Sequence, residues 1–182
     1  MKLTAFLLSL ALTAAAWAQE TKMHRKDAGQ ADKTGWTLAE STEGRFSVYM
    51  PIKFNDFTVL ERYPSPADRA YHVGGRSSDE IALQATRIVY RKGAASAREY
   101  FARFARGEGF GLVPERVSPP RRVREMRTVD LFFKQTGSVR YQRVVLLESD
   151  LMMLSVEAPP AHADVAQQLA GRFFDSLLVD AK

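Results

Sequence analysis

The chain has 182 residues, about one domain's worth, with 26 Lys and Arg against 21 Asp and Glu, a formal net charge of +5 and no cysteine. Without cysteine there is no disulfide framework, no thiolate nucleophile and no thiolate metal site. A charge this mild favours anionic surfaces only weakly and says nothing about fold.

Residues 1–18 read as a cleavable export signal. Lys2 supplies a positive start, Leu3 to Trp17 is apolar, and Ala16-Trp17-Ala18 is a small-x-small cleavage site. The apolar run is shorter than the roughly twenty residues that span a bilayer. The expectation is a periplasmic protein whose mature chain begins at Gln19. Residues 19–35, with one Met and no aromatic residue, cannot bury enough apolar surface to order themselves and read as a flexible leader. A single domain is expected over 36–182.

Trp36 to Leu38 is a short strand candidate. Ser41 to Arg45 turns the chain into "FSVYM", where Phe46, Val48 and Met50 alternate with Ser47 and Tyr49 before Pro51. Phe57 to Tyr63 is another strand, Ala70 to Val73 a short one, and Ile81 to Tyr90 a long one. The period then changes. Ala97, Phe101, Phe104 and Ala105 share a helical face, with Ser96 and Glu99 forming a capping box and Gly107 and Gly109 ending the helix. Three strands follow as an antiparallel meander: Arg122 to Gln135, Val139 to Ser149 across the turn Thr136–Ser138, and Leu151 to Pro159. A closing helix is capped by Asp164 with Gln167, and Val165, Leu169, Phe173 and Leu177 form its inner stripe. This order predicts an α+β fold, an antiparallel sheet with helices packed on it.

The stretch "EGRFSVYMP", the helix opened by "SAREYF" and the ending "RFFDSLLV" resemble the PsbP-like and DcrB-like extracytoplasmic proteins. Gly44, Phe46 and Pro51 carry the first motif, and Phe173, Ser176 and Leu177 the last. The resemblance implies a PsbP-like α/β/α sandwich over residues 36 to 180. That group lacks a shared catalytic site, so no functional residue is carried over.

The chemistry is sparse. His24, His72 and His162 stand outside any metal-ligand spacing, and no G-x-S-x-G elbow is present. The glycines of "GEGFG" follow a helix instead of preceding one, the wrong order for a phosphate loop. The uneven feature is "ERVSPPRRVREMR". Arg121, Arg122, Arg124 and Arg127 cluster after a double proline, and Arg140 and Arg143 stand on nearby strands. Arginine gives planar, bidentate contact to phosphate or carboxylate, whereas charge on an edge strand also serves simply to block unwanted pairing. The expectation is an exported, non-catalytic accessory protein of the cell envelope without a cofactor. Arg121, Arg122, Arg124 and Arg127 are its candidate contact with an envelope protein or an anionic membrane surface. No nucleic-acid role is expected, because export removes the target and no stacking aromatics accompany the arginines. The alternative is a carrier of a small apolar ligand or lipid, with Phe101, Phe104, Phe132, Phe133, Met152 and Met153 around the ligand.

Overall fold

The computed structural model describes residues 20–62, 65–108 and 111–180. The expected signal over 1–18 lies outside the described residues. The strands are β1 (Glu20–Ala28), β2 (Thr37–Glu40), β3 (Phe46–Met50), β4 (Phe54–Leu60), β5 (Ala67–Arg76) and β6 (Ala82–Tyr90). Helix α1 (Ala94–Ala105) follows, then β7 (Arg116–Val117), β8 (Arg121–Val123), β9 (Met126–Gln135), β10 (Ser138–Leu146) and β11 (Asp150–Ala158). A 3-10 turn leads into α2 (Ala163–Asp175), and β12 (Leu178–Val179) closes the chain.

Among the described residues the large sheet has nine strands in the order β1-β4-β5-β6-β11-β10-β9-β7, with β8 also paired to β9, and a small sheet runs β12-β3-β2. The expected α+β class and the meander β9-β10-β11 are both present. Strand alternation sends neighbouring side chains to opposite faces. Met152, Leu154 and Val156 of β11 enter a core with Ala166, Ala170 and Phe173 of α2 and with Val48 and Met50 of the small sheet. Leu151 and Val144 enter the opposite core with Ala97, Phe101 and Phe104 of α1. Helix α1 therefore covers one face of the large sheet, and α2 with the small sheet covers the other.

Phe46, Val48 and Met50 are buried as expected, but β3 lies in the small sheet instead of opening the large one. Two sequence motifs meet there. The Ser176 hydroxyl donates to the Phe173 carbonyl at 2.7 Å and accepts the Tyr49 N–H at 2.9 Å, so the end of α2 is tied to β3. Gly44 is required by close approach: a Cβ there would meet Ser41 Oγ at 2.6 Å and Tyr71 Cβ at 2.8 Å. The positive φ of this turn falls on Arg45, at 52°.

Several expectations are corrected. The leader expected over 19–35 is a strand over Glu20–Ala28, paired with β4 at Glu20↔Leu60, Met23↔Phe57 and Arg25↔Asp56. Its polar composition cannot build a core, but an edge strand needs only a ladder and side-chain partners. Here they are Arg25 Nε donating to Asp56 at 3.3 Å and His24 Nε2 against Thr58 Oγ1 at 2.8 Å. Helix α1 begins at Ala94 behind Gly93, which has φ 54°, so Ser96 lies inside the first turn and no side chain caps the helix. At its other end Gly107, with φ 78°, donates to Phe104 O at 2.9 Å and Glu108 donates to Arg103 O at 2.9 Å, the Schellman arrangement. Helix α2 likewise begins at Ala163, so Asp164 sits in the first turn and acts through the helix dipole instead of as a cap. Its buried face is Ala166, Ala170, Phe173 and Phe174, and Val165 is exposed. Steps of four drift round a 3.6-residue helix, so the stripe that ends at Phe173 starts at Ala166.

Candidate functional site

Alternation places Asp130 and Phe132 of β9 and Tyr141 and Arg143 of β10 on the face towards α2, with Asp130 directly opposite Arg143. Arg143 is 7% exposed. Its Nε and Nη2 donate to the two oxygens of Asp130 at 2.7 and 3.1 Å, and Nη1 donates to Asp175 of α2 at 2.8 Å. The guanidinium lies 5.1 Å from the centre of the Phe174 ring. Burial opposes its charge, but the bonds to Asp130 and Asp175 outweigh it and hold the group further towards the protonated form than usual.

This cluster is the waist of a groove along α2. On one side a cavity of about 450 Å³ is lined by Arg121, Arg124, Met126, Phe174 and Leu177. On the other, a cavity of about 510 Å³ is lined by Arg116, Phe132, Tyr141, Gln167 and Gly171. Arg143 and Phe174 border both. Gly171 keeps the helix wall low, since a Cβ there would have nothing within 4 Å. Four arginines (Arg116, Arg121, Arg124 and Arg143) face two aspartates (Asp130 and Asp175) in the two linings together, an excess of two positive charges. Arg116 also lies 4.5 Å from the centre of the Phe132 ring, so charge and aromatic surface alternate along the wall.

The sheet divides the arginines that the sequence groups together. Arg121 binds Asp130 at 2.5 Å in the groove. Arg124 donates to the Leu177 carbonyl at 3.3 Å, also in the groove. Arg122 pairs with exposed Glu125 at 3.1 Å, and its register partner Arg127 stands 5.2 Å over Phe101 of α1, on the opposite face. The segment read as one strand from Arg122 is a hairpin. Pro119 and Pro120 interrupt the edge between β7 and β8, and a two-residue turn at Arg124-Glu125 reverses the chain. Both turn residues have positive φ, 48° and 65°. Such a turn usually takes Asn and Gly, so two charged residues here are held against their preference, the kind of local cost that accumulates at binding sites.

Arg140, expected near the cluster, pairs with Glu157 at 2.6 Å on the α1 face. Arg116, which sequence reasoning did not single out, and Gln167, which it read only as a capping partner, complete the groove. Of the carrier candidates, Phe101, Phe104, Phe133 and Met152 are packed inside the cores, Phe132 lines the groove, and Met153 is half-buried. His72 stacks on Phe57 with ring centres 4.7 Å apart, and burial lowers its pKa to about 4. His162 caps α2. Among the described residues no group of three His, Asp or Glu is placed to hold a metal.

Among the described residues the groove lining holds no histidine, and both of its aspartates are bonded to Arg143. Arg121, Arg124 and Arg143 are fixed by aspartates and a carbonyl and Arg116 lies over the Phe132 ring, with donors left over for a carboxylate or phosphate. Its aromatic wall suits an extended chain with apolar side chains.

No protein-family model matches the chain. No curated protein matches it. Among solved structures, LpqN, involved in cell envelope biogenesis of Mycobacterium tuberculosis, is similar at 9% identity over 92% of this chain and 88% of that one, with a TM-score of 0.38.

Proposed function

We propose that the chain is an exported, non-catalytic accessory protein of the cell envelope, of PsbP-like architecture, that holds an acidic segment of a partner protein in the groove along α2. The observation that carries this reading is the combination of two excess positive charges with the wall of Phe132, Tyr141 and Phe174. A bare membrane surface would be served by a flat basic face. Here the arginines line a groove beside a helix, which fits a chain. Export rests on the sequence of residues 1–18, and the sandwich on the motifs at Gly44 and Phe173 together with the helices on both faces of the sheet.

The reading separates two sets of arginines. A crosslinking pull-down from intact envelopes should recover one partner with the unaltered protein and with Arg122→Ser/Arg127→Ser. Recovery should fall at least about tenfold with Arg116→Ser/Arg121→Ser/Arg124→Ser, as expected for losing several charge-assisted contacts. Equal recovery with both variants contradicts the reading. Loss of retention on anionic vesicles, with no protein captured, would make the ligand the membrane instead.

A further inference from the structure

The face of the large sheet that carries α1 is not wholly covered by it, and the uncovered part holds a second, chemically different cavity. Successive strands place their side chains there in rows. Gln142, Ser155 and Gln84 are register partners across β10, β11 and β6, and Met153, Thr86 and His72 form the next row across β11, β6 and β5. Together they floor a cavity of about 350 Å³, within the range of small-molecule sites.

The most enclosed polar side chain of the floor is Gln142. It is 5% exposed, its side chain lies on the cavity face, and its carboxamide has no hydrogen-bond partner among the described residues. Its polar atoms keep solvent contact through the cavity, since among the described residues the side-chain atom that is both buried and without a partner is the Tyr90 hydroxyl, so a ligand that displaces that solvent has to supply the amide's bonds. Ser155, next to it, also has no side-chain partner. Gln84 Nε2 donates to His72 Nδ1 at 2.9 Å and to Thr86 Oγ1 at 3.2 Å, which leaves its carbonyl oxygen unbonded and the proton of the His72 ring on Nε2. The row therefore offers an amide, a hydroxyl and an amide carbonyl, both donors and acceptors. Of the charged side chains in the lining, Arg140 and Glu157 bind each other through two bonds at 2.6 and 2.9 Å at one edge, and Arg76 adds one positive charge at the exposed rim, where its Nη1 donates to the Glu80 carbonyl at 3.0 Å. Met153 and Ile88 supply an apolar strip beside the polar row.

We infer that this cavity is a binding site for a neutral, hydroxyl-rich ligand, a saccharide of one or two rings, hydrogen-bonded by Gln142, Ser155 and Gln84. An anion finds no cation at the floor, Arg76 being held at the rim, and a purely apolar ligand would displace solvent from the Gln142 amide without replacing its bonds. A sugar edge presents paired donors and acceptors to planar amides and an apolar ring face to Met153 and Ile88. The site lies across the sheet from the arginine groove and stands or falls independently of it.

The test is an amide NMR titration of the protein with N,N′-diacetylchitobiose, using the unaltered chain, Gln142→Leu and Ser155→Ala. Saturable shifts should centre on Gln84, Gln142 and Ser155. Binding should weaken at least about tenfold in Gln142→Leu, which removes the bonding amide at similar volume. That variant should melt no lower than the unaltered protein, because an unpaired amide gives way to an apolar group. Three results overturn the inference: no saturable shift with the unaltered chain, shifts that persist undiminished in both variants, or a Gln142→Leu protein that melts well below the unaltered one, which would make the amide a structural group.

Discussion

Arg143→Ala should lower the free energy of unfolding by about 3 kcal/mol, read from urea denaturation. Removing one member of a buried ion cluster costs roughly 3–5 kcal/mol, chiefly because its partners keep their charge. The low end applies here. Asp175 is largely exposed and recovers water, and Asp130 keeps Arg121. The loss of the Phe174 contact adds a packing deficit at the waist of the groove. Arg143→Met/Asp130→Leu should recover most of the loss, since the charges it leaves without their partner, Arg121 and Asp175, are exposed enough to regain water. If the single variant melts as the unaltered protein does, the cluster is not what closes α2 onto the sheet.

Acid should destabilise the fold through His72. Its folded pKa is lowered from 6.5 to about 4, and the cause is burial. Its bonded neighbours, Gln84 and Thr86, are neutral, Phe57 of β4 is stacked on its ring, and the charged groups of the same cavity are Arg76, Arg140 and Glu157. Between pH 6.5 and about 4 the unfolded chain binds a proton that the folded chain refuses, so stability falls as pH falls through this window and the term levels off below it. With some solvent reaching the ring, the loss is on the order of 2 kcal/mol. Melting temperatures at pH 7, 5.5 and 4, as round test values, check it against His72→Gln, which should show a shallower decline. Identical slopes for both proteins would remove His72 as the cause.

Local alternation made much of the fold legible in the sequence. Phe46, Val48 and Met50, the meander through the turn at Gly137, and the α1 face of Ala97, Phe101 and Phe104 all follow from side-chain period. What escaped was set by distant partners. Residues 20–28 have no apolar pattern and become a strand because Asp56, fully buried on β4, needs Arg25 and the Thr42 N–H. The arginine cluster was visible as composition. Its division by the sheet depends on the turn at Arg124-Glu125, where neither residue type announces a positive φ. The Asp130–Arg143 pair left a signal, opposite charges at inward positions of two strands, but it gains meaning only from the register that places them opposite each other. That Gln142 borders a cavity with its amide free to bond depends on the fold and leaves no sequence trace.

The central claim is that the groove along α2 contacts an envelope protein. The direct measurement is photocrosslinking in intact cells from a benzophenone side chain at Gln167, on the exposed rim of the groove, and at Arg98, exposed on α1 across the sheet. The account predicts one discrete adduct with a protein from position 167 and none from position 98, with the adduct lost when Arg116, Arg121 and Arg124 are replaced by Ser. Adducts of equal yield from both positions, or an adduct from 167 that survives those replacements, would contradict it.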